Sequence, residues 1–372
     1  MKQFGITPKI LEFEHCHEVG EHFQIGKGDL VFISDRTYEQ HFKETISDQA
    51  CRVNYRKYVT GEPTDEMVEA IFADIKDDHY NRVFGIGGGT ILDVAKLFAL
   101  KNNVPVVDLF NKELEIIKDK ELILIPTTCG TGSEVTNISI LELTAIHSKF
   151  GLAVDELYAD YAVLIPELLN DLPMSVFATS SIDAFIHAIE SYTSPKASAF
   201  SQLYSKKAME MIITGYQTIA DRGEEARKPL LNDFMIASTF AGIAFGNAGC
   251  AAVHAMSYPL GAVYHVPHGE ANYSLFTEVY KTYQAIDPNG SIKELNIFLA
   301  EILGCEPAVV YQEIEKLLNH ILTKKALRDY GVTKADLESF AAAVMTKQTR
   351  LMANNYVPLS QDQVLEIYKQ LY

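Results

Sequence analysis

The run NRVFGIGGGTILDVAK (81–96) constrains the fold more than any other part of the chain. An apolar, β-branched stretch ends in three consecutive glycines, and the residues that follow repeat apolar side chains at helical spacing. A strand must therefore pass into a helix through a tight turn without side chains. Bare backbone N–H groups at a helix N-terminus attract an anion, because the helix dipole favours negative charge there. Thr90 and Asp93 have the spacing of a capping box and predict where that helix begins. The spacing from Gly85 is G-x-G-x-x-T, close to a dinucleotide fingerprint; taken alone it also fits a plain βα turn.

The segments around this run extend its logic. DLVFISD (29–35), VPVVDLF (104–110) and ELILIPTT (121–128) read as strands apolar on both faces, and TDEMVEAIFADIKD (64–77) reads as an amphipathic helix. Such alternation predicts a parallel sheet covered by helices. From about Leu172 onward the strand signals fade, and capping-box pairs at Ser291/Glu294, Thr333/Asp336 and Ser360/Gln363 precede helical patterns. The expectation is an α/β N-terminal dinucleotide-binding domain with a Rossmann-like parallel sheet over 1–174 and an all-α C-terminal domain over 175–372, with a cleft between them.

Further donors collect at expected strand ends, where open α/β sheets bind ligands. PTTCGTGSEVT (126–136) supplies Thr, Gly and Ser directly after a strand. Asp35 closes another, where an acid accepts hydrogen bonds from an adenosine ribose and repels a 2′-phosphate. That favours NAD over NADP, although Arg36 next to it weighs the other way.

Composition narrows the classes of function. The chain of 372 residues carries 32 Lys and Arg against 49 Asp and Glu, a formal charge of -17, which disfavours nucleic acid as a partner. The five cysteines, Cys16, Cys51, Cys129, Cys250 and Cys305, show no paired spacing and read as free thiols in a reducing cytoplasm. Cys129 and Cys250 are expected to pack rather than to ligate. No apolar run reaches the roughly 18 residues of a membrane span, and the start lacks the apolar core of a signal peptide, so a cytoplasmic protein with no membrane partner is expected.

A candidate metal constellation lies in the helical half. Asp183 and His187, four apart in ATSSIDAFIHAIESY, project from one helix face, and VHAMSYPLGAVYHVPHGEAN adds His254 and His268. One carboxylate and three imidazoles suit Fe(II) or Zn(II) and leave a coordination position open for substrate. An i,i+4 acid and histidine pair is common by itself, so the case rests on joint occurrence. His15, His17, His22, His41, His79, His147 and His320 sit in polar stretches and read as solvated.

Taken together, GGGTILDVAK, IPTTCGTGSEVT, SSIDAFIHAIESY and AGIAFGNAGCAAVHAMSYPLGAVYHVPHG resemble the iron-containing, or group III, alcohol dehydrogenases, from about residue 25 to the end. The resemblance implies the architecture shared by that family and dehydroquinate synthase. It implies Asp183, His187, His254 and His268 as metal ligands, with Fe(II) ahead of Zn(II). It implies Gly87, Gly88, Gly89, Thr90 and Asp93 as the pyrophosphate loop, Thr127, Thr128 and Thr131 as a second cofactor turn, and Lys149 near the nicotinamide ribose. NAD is the implied cofactor. GEPTDEM, PTTCGTGSEVTN and YHVPHGEANY point, within the family, to 4-hydroxybutyrate and succinate semialdehyde as the substrate pair.

Two departures bear on catalysis. Tyr258 stands where many members have a relay histidine, so Tyr258 and His265 are the relay candidates. NNY (354–356) replaces an Asn-Pro-Arg stretch, and Arg350, ahead of Lys149 and His265, is the candidate for a substrate carboxylate. The alternatives are another short primary alcohol or diol as substrate, a lyase of the dehydroquinate-synthase type, or a nucleotide-binding regulatory protein. A homodimer is the base-rate expectation.

Overall fold

The computed structural model describes residues 3–58, 63–76, 78–146 and 148–372. Two compact units emerge, one from Ile6 to Leu172 and one from Pro173 to Tyr372, the latter joined by residues 3–5.

The first unit contains β1 (Lys9–Glu12), β2 (Asp29–Ile33), β3 (Cys51–Val53), β4 (Arg82–Gly87), β5 (Glu121–Pro126), β6 (Ile138–Leu143), β7 (Ser148–Ala153) and β8 (Tyr161–Leu164). Six of these form one sheet in the order β1-β8-β5-β4-β2-β3, parallel throughout, while β6 and β7 form an antiparallel pair. Its helices are α1 (Cys16–Phe23), α2 (Asp35–Thr37), α3 (Asp65–Asp74), α4 (Gly89–Phe98) and α5 (Val106–Phe110).

Alternation along β2 and β4 sends Leu30, Phe32 and Val83 into one apolar layer and Val31, Ile33, Phe84 and Ile86 into the other. Both faces are covered, which is why these strands are apolar throughout. The chain steps outward from β2 to β3, then crosses back to the other side of β2 to make β4. The strand order reverses there, so the carboxyl ends of β2 and β4 border the switch point at which α/β sheets bind ligands.

Three local expectations are corrected. VPVVDLF is a helix, α5, because Pro105 can supply no N–H to a ladder and instead starts the turn. Glu69 accepts the Val106 N–H at 2.9 Å, and Val106, Leu109 and Phe110 face the core at helical spacing. Helix α4 begins at Gly89 with Gly88 as its N-cap, so Thr90 and Asp93 do not cap it. The third concerns the second unit.

That unit has only helices among its described residues: α6 (Met174–Thr193), α7 (Ala199–Arg222), α8 (Leu231–Ala248), α9 (Ala252–Tyr264), α10 (His268–Ile286), α11 (Gly290–Leu303), α12 (Val310–Ile321), α13 (Lys334–Lys347), α14 (Thr349–Met352) and α15 (Gln361–Leu371). Thr333/Asp336 and Ser360/Gln363 form capping boxes, but α11 starts at Gly290 behind Asn289 with no side-chain cap, so Ser291/Glu294 is not one. Helix α6 is the core element, packed on α7, α8 and α10 and buried continuously from Ser181 to Thr193. Residues 3–5 pack on the same helices: Phe4 stacks on Phe200 and Tyr204, and Asn247 exchanges two hydrogen bonds with the Gly5 backbone. Among the described residues no single helix is long and apolar enough to cross a membrane.

Candidate functional site

In the α/β unit the two glycine- and threonine-rich turns lie side by side. Strands β4 and β5 pair up to Gly87 and Pro126, and the Thr127 N–H then donates to the Gly87 carbonyl at 3.0 Å. Each glycine of the first turn has its own reason. A Cβ on Gly87 would stand 2.2 Å from Ile91, and one on Gly89 would stand 2.7 Å from Thr131. Gly88 differs: its φ of -73° suits any residue, and a Cβ there would meet nothing closer than Thr128 at 3.6 Å. Neither packing nor conformation requires a glycine at Gly88, which is what a backbone approached by a ligand looks like.

The first N–H groups of α4, on Gly89 and Thr90, are those a helix leaves without intrahelical acceptors, so the turn can cradle a pyrophosphate. Thr128 and Thr131 flank Gly88 and Gly89. Asp35 lies exposed just past β2, where its carboxylate accepts from Asn54 at 2.6 Å and has Arg52 at 3.9 Å. Lys149 stands on β7 opposite Glu142.

Asp93 points into protein. One carboxylate oxygen accepts from the Ser133 hydroxyl and the other from the Ile140 N–H at 3.1 Å, tying α4 to the second turn. Lys96, fully buried, completes that tie with bonds to Ser133 Oγ at 2.7 Å and the Ile138 carbonyl at 2.6 Å. Burial lowers its pKa below the usual lysine value, and the Asp93 carboxylate opposes that shift. The sequence reading missed Lys96, for which i,i+3 spacing from Asp93 was the available signal.

In the helical unit the four expected metal donors converge. Asp183 and His187 share a face of α6, His254 lies near the start of α9, and His268 opens α10. The Asp183 carboxylate has His254 Nε2 at 3.5 Å, His268 Nε2 at 3.8 Å and His187 Nε2 at 3.9 Å. Donors on one tetrahedral ion with bonds of about 2.1 Å stand roughly 3.4 Å apart, so the spacings from Asp183 suit a divalent ion; Asp183, His254 and His268 lie mutually within 4.8 Å, while His187 groups with His254 and Cys250. The buried His254 Nε2 makes no hydrogen bond, an orphan of the kind a metal satisfies. Burial alone would raise the Asp183 carboxyl, but the imidazoles of His187, His268 and His254 hold it well below the usual carboxylate range. The His268 side chain is 34% exposed against 7% or less for the other three, so the cluster opens on that side.

Packing fixes these positions. The His187 ring stacks on Phe245 at 4.2 Å and on His254 at 4.6 Å. Gly269 lets α10 approach α6, since a Cβ there would sit 1.9 Å from the Thr179 carbonyl oxygen. Two buried residues were not foreseen. Glu190 accepts from the N–H groups of Ala251 at 3.0 Å and Val253 at 2.7 Å, and its carboxylate lies 2.6 Å from His254 Nδ1. That contact turns His254 Nε2 toward the other donors, the usual partner arrangement of a metal histidine. Asn272 donates to Asp183 at 2.8 Å.

The other candidates fall at varying remove. The Tyr258 ring is 6.1 Å from that of His268, and burial pushes its hydroxyl pKa up. Arg350 is exposed on α14, close enough for its charge to oppose that rise. His265 is exposed at the left-handed C-cap of α9, with φ of 53°, and no hydrogen bond or ring contact joins it to the donors among the described residues. Asn354 of the NNY segment is 2% exposed and bonds the carbonyls of Ala248 and Cys250.

His41 corrects another expectation. Its side chain is only 15% exposed, with Asp171 at 3.9 Å, and its ring nitrogen groups with Cys16 and Glu167. Glu167 there accepts the N–H of Cys16 at the start of α1. His147 lies outside the described residues.

Comparison with known proteins follows the same division. A family described as iron-containing alcohol dehydrogenase matches residues 8–166, and one described as the C-terminal part of the Fe-containing alcohol dehydrogenase family matches residues 177–372. The chain is 47% identical over 372 residues to 4-hydroxybutyrate dehydrogenase of Clostridium kluyveri, covering 100% of both. It is 31% identical over 323 residues to sulfoacetaldehyde reductase of Bilophila wadsworthia, covering 82% of this chain and 80% of that one. Among solved structures, sulfoacetaldehyde reductase from Bifidobacterium kashiwanohense in complex with NAD+ superposes with a TM-score of 0.86 at 22% identity, covering 100% of this chain and 98% of that one. A 1,3-propanediol oxidoreductase gives a TM-score of 0.83 at 22% identity over the whole of both chains.

Proposed function

The chain belongs to the iron-containing alcohol dehydrogenase family, and from that premise we propose that it interconverts 4-hydroxybutyrate and succinate semialdehyde with NAD and a divalent metal ion. The observation that carries the substrate is the 47% identity to 4-hydroxybutyrate dehydrogenase along the entire chain. A second relative, named for sulfoacetaldehyde, also acts on a carbonyl compound with an anionic tail.

Asp183, His187, His254 and His268 would hold the ion. When bound, it supplies Lewis acidity to the alcohol or carbonyl oxygen, and the nicotinamide supplies the hydride acceptor or donor. The rest falls to side chains of this protein. Glu190 keeps His254 in the tautomer and orientation that expose Nε2. His268 stands on the accessible side of the cluster, where a small substrate enters. Tyr258, beside it, keeps its proton at neutral pH and is the first relay candidate, with exposed His265 the second. Arg350 offers a planar pair of donors to the carboxylate at the far end of the substrate. Gly88 leaves room for the NAD pyrophosphate over the start of α4.

A substrate panel with NAD and NADP, run on protein reconstituted separately with Fe(II) and Zn(II), tests the whole reading. Stoichiometric NADH from 4-hydroxybutyrate is expected; turnover of a phosphorylated polyol without net NADH would select the lyase instead. Arg350→Ala is expected to raise KM for 4-hydroxybutyrate far more than for butan-1-ol, and equal effects on the two would remove Arg350 from its role.

A further inference from the structure

We propose that Cys250 is a further donor of the metal centre, giving it a sulfur-containing ligand set that takes thiophilic divalent ions such as zinc or cadmium. The proposal rests on the metal reading above and revises the expectation that Cys250 only packs.

Two triads of donor atoms share His254. In Asp183, His254 and His268, and again in His187, Cys250 and His254, the ligand atoms lie within 4.8 Å of one another. Cys250 is 8% exposed, His187 5% and His254 3%, so the sulfur faces imidazole rather than water. His254 Nε2, buried and without a hydrogen bond, is an atom that a ligand would satisfy.

Buried polar groups pin the backbone on both sides of Cys250. Gly249 turns the chain at φ of +79°, and Asn354 donates to the carbonyls of Ala248 at 2.8 Å and Cys250 at 3.2 Å. Ser194 in turn bonds Asn354 Oδ1 at 3.1 Å and the Ala248 carbonyl at 2.7 Å. On the other side Glu190 accepts the Ala251 N–H at 3.0 Å. A cysteine that only fills space needs no such frame; here the acid that aims His254 also fixes the residue after the thiol.

The two triads differ in softness. Carboxylate with imidazoles suits iron(II) and manganese(II), whereas thiolate with imidazoles suits zinc and cadmium. Binding through the second triad forms a sulfur–metal bond as the thiol proton leaves to solvent, so one H+ is released per ion and no electrons move. Cys250 thereby favours the softer ion over iron.

The test strips the full-length protein with a chelator and titrates it anaerobically with Cd2+. Bound cadmium and the ultraviolet sulfur-to-metal charge-transfer band are read together on wild type, Cys250→Ala and Cys250→Ser, with circular dichroism checking the fold. Wild type is expected to take one Cd2+ per chain with the band present. Both variants should lose the band and bind Cd2+ at least about 10-fold more weakly, the low end of what loss of even a metal-supporting group costs. Their Mn2+ affinity should change much less.

One Cd2+ bound to wild type without the band, or a band that survives in both variants, overturns the role of Cys250 and leaves the metal reading intact. No Cd2+ or Mn2+ bound by wild type overturns both. Cys16→Ala, which removes the thiol grouped with His41 and Glu167, is expected to keep the band, and loss of the band there would overturn the role of Cys250 even if a Cys250 variant fails to fold.

Discussion

Glu190 ranks with the donors themselves, although it is expected to touch neither ion nor substrate. Its carboxylate serves three donors at once, two backbone N–H groups and His254 Nδ1. Glu190→Gln replaces one acceptor oxygen with a donor that faces other donors. Metal affinity is expected to fall about 10- to 100-fold, read by competition with a chelator; an unchanged affinity would make Glu190 a helix-capping acid and nothing more. Asp183, His187, His254 and His268 were legible because ligand residue types stood at helical spacing or beside helix breakers. Glu190 had a weaker sign, three residues after His187 on the same helix, and a buried acid cannot be told from a surface acid by type. Asn272 and Cys250 were illegible for a related reason: their importance comes from contacts 89 residues away in one case and from the bonds of Asn354 in the other.

At the scale of elements, glycines separate packing from binding. Gly87→Ala would drive a methyl into Ile91 and is expected to destabilise the α/β unit by about 1–3 kcal/mol in denaturant titration. Gly88→Ala should cost no more than about 1 kcal/mol, the loss of a glycine N-cap, because the added methyl meets only ordinary contact. Its Kd for NAD should nevertheless rise at least tenfold, and a normal Kd would mean that no ligand approaches this backbone. Gly269→Ala sets a methyl against the Thr179 backbone, which cannot swing aside, so a loss of about 3 kcal/mol together with weakened metal binding is expected. The strands flanking Gly87 were legible because covering both faces demands unbroken apolar runs. VPVVDLF misled because its valines suit a strand, while the capping geometry of Pro105 and the Glu69 carboxylate, placed by α3, made the helix. The hairpin β6–β7 gave little warning, since the buried face of ISILEL carries Ser139 while Ile138 and Ile140 lie on the other face and break the apolar alternation.

Over the whole molecule, the helical unit buries phenols far more thoroughly than a surface would. Burial pushes the hydroxyls of Tyr280, Tyr283, Tyr311 and Tyr368 well above their ordinary value. The folded state therefore keeps protons that the unfolded chain gives up near pH 10, and stability must fall as pH rises past about 10. Tyrosinate absorbance is expected to appear cooperatively, together with loss of helical dichroism. A gradual rise at pH 10 with the helices intact would contradict that burial. The two-part plan was visible in the chain, strands early and helices late, but the attachment of residues 3–5 to the later helices was not. It sets an order of events during synthesis. Gly5 waits for Asn247, 242 residues downstream, and at about 5–20 residues per second the ribosome needs roughly 12–50 s to deliver it. For most of that interval, until Phe200 and Tyr204 are made, Phe4 has no ring to stack on, so a nascent chain halted before residue 200 should offer this apolar tip to chaperones, and a released, finished one should not.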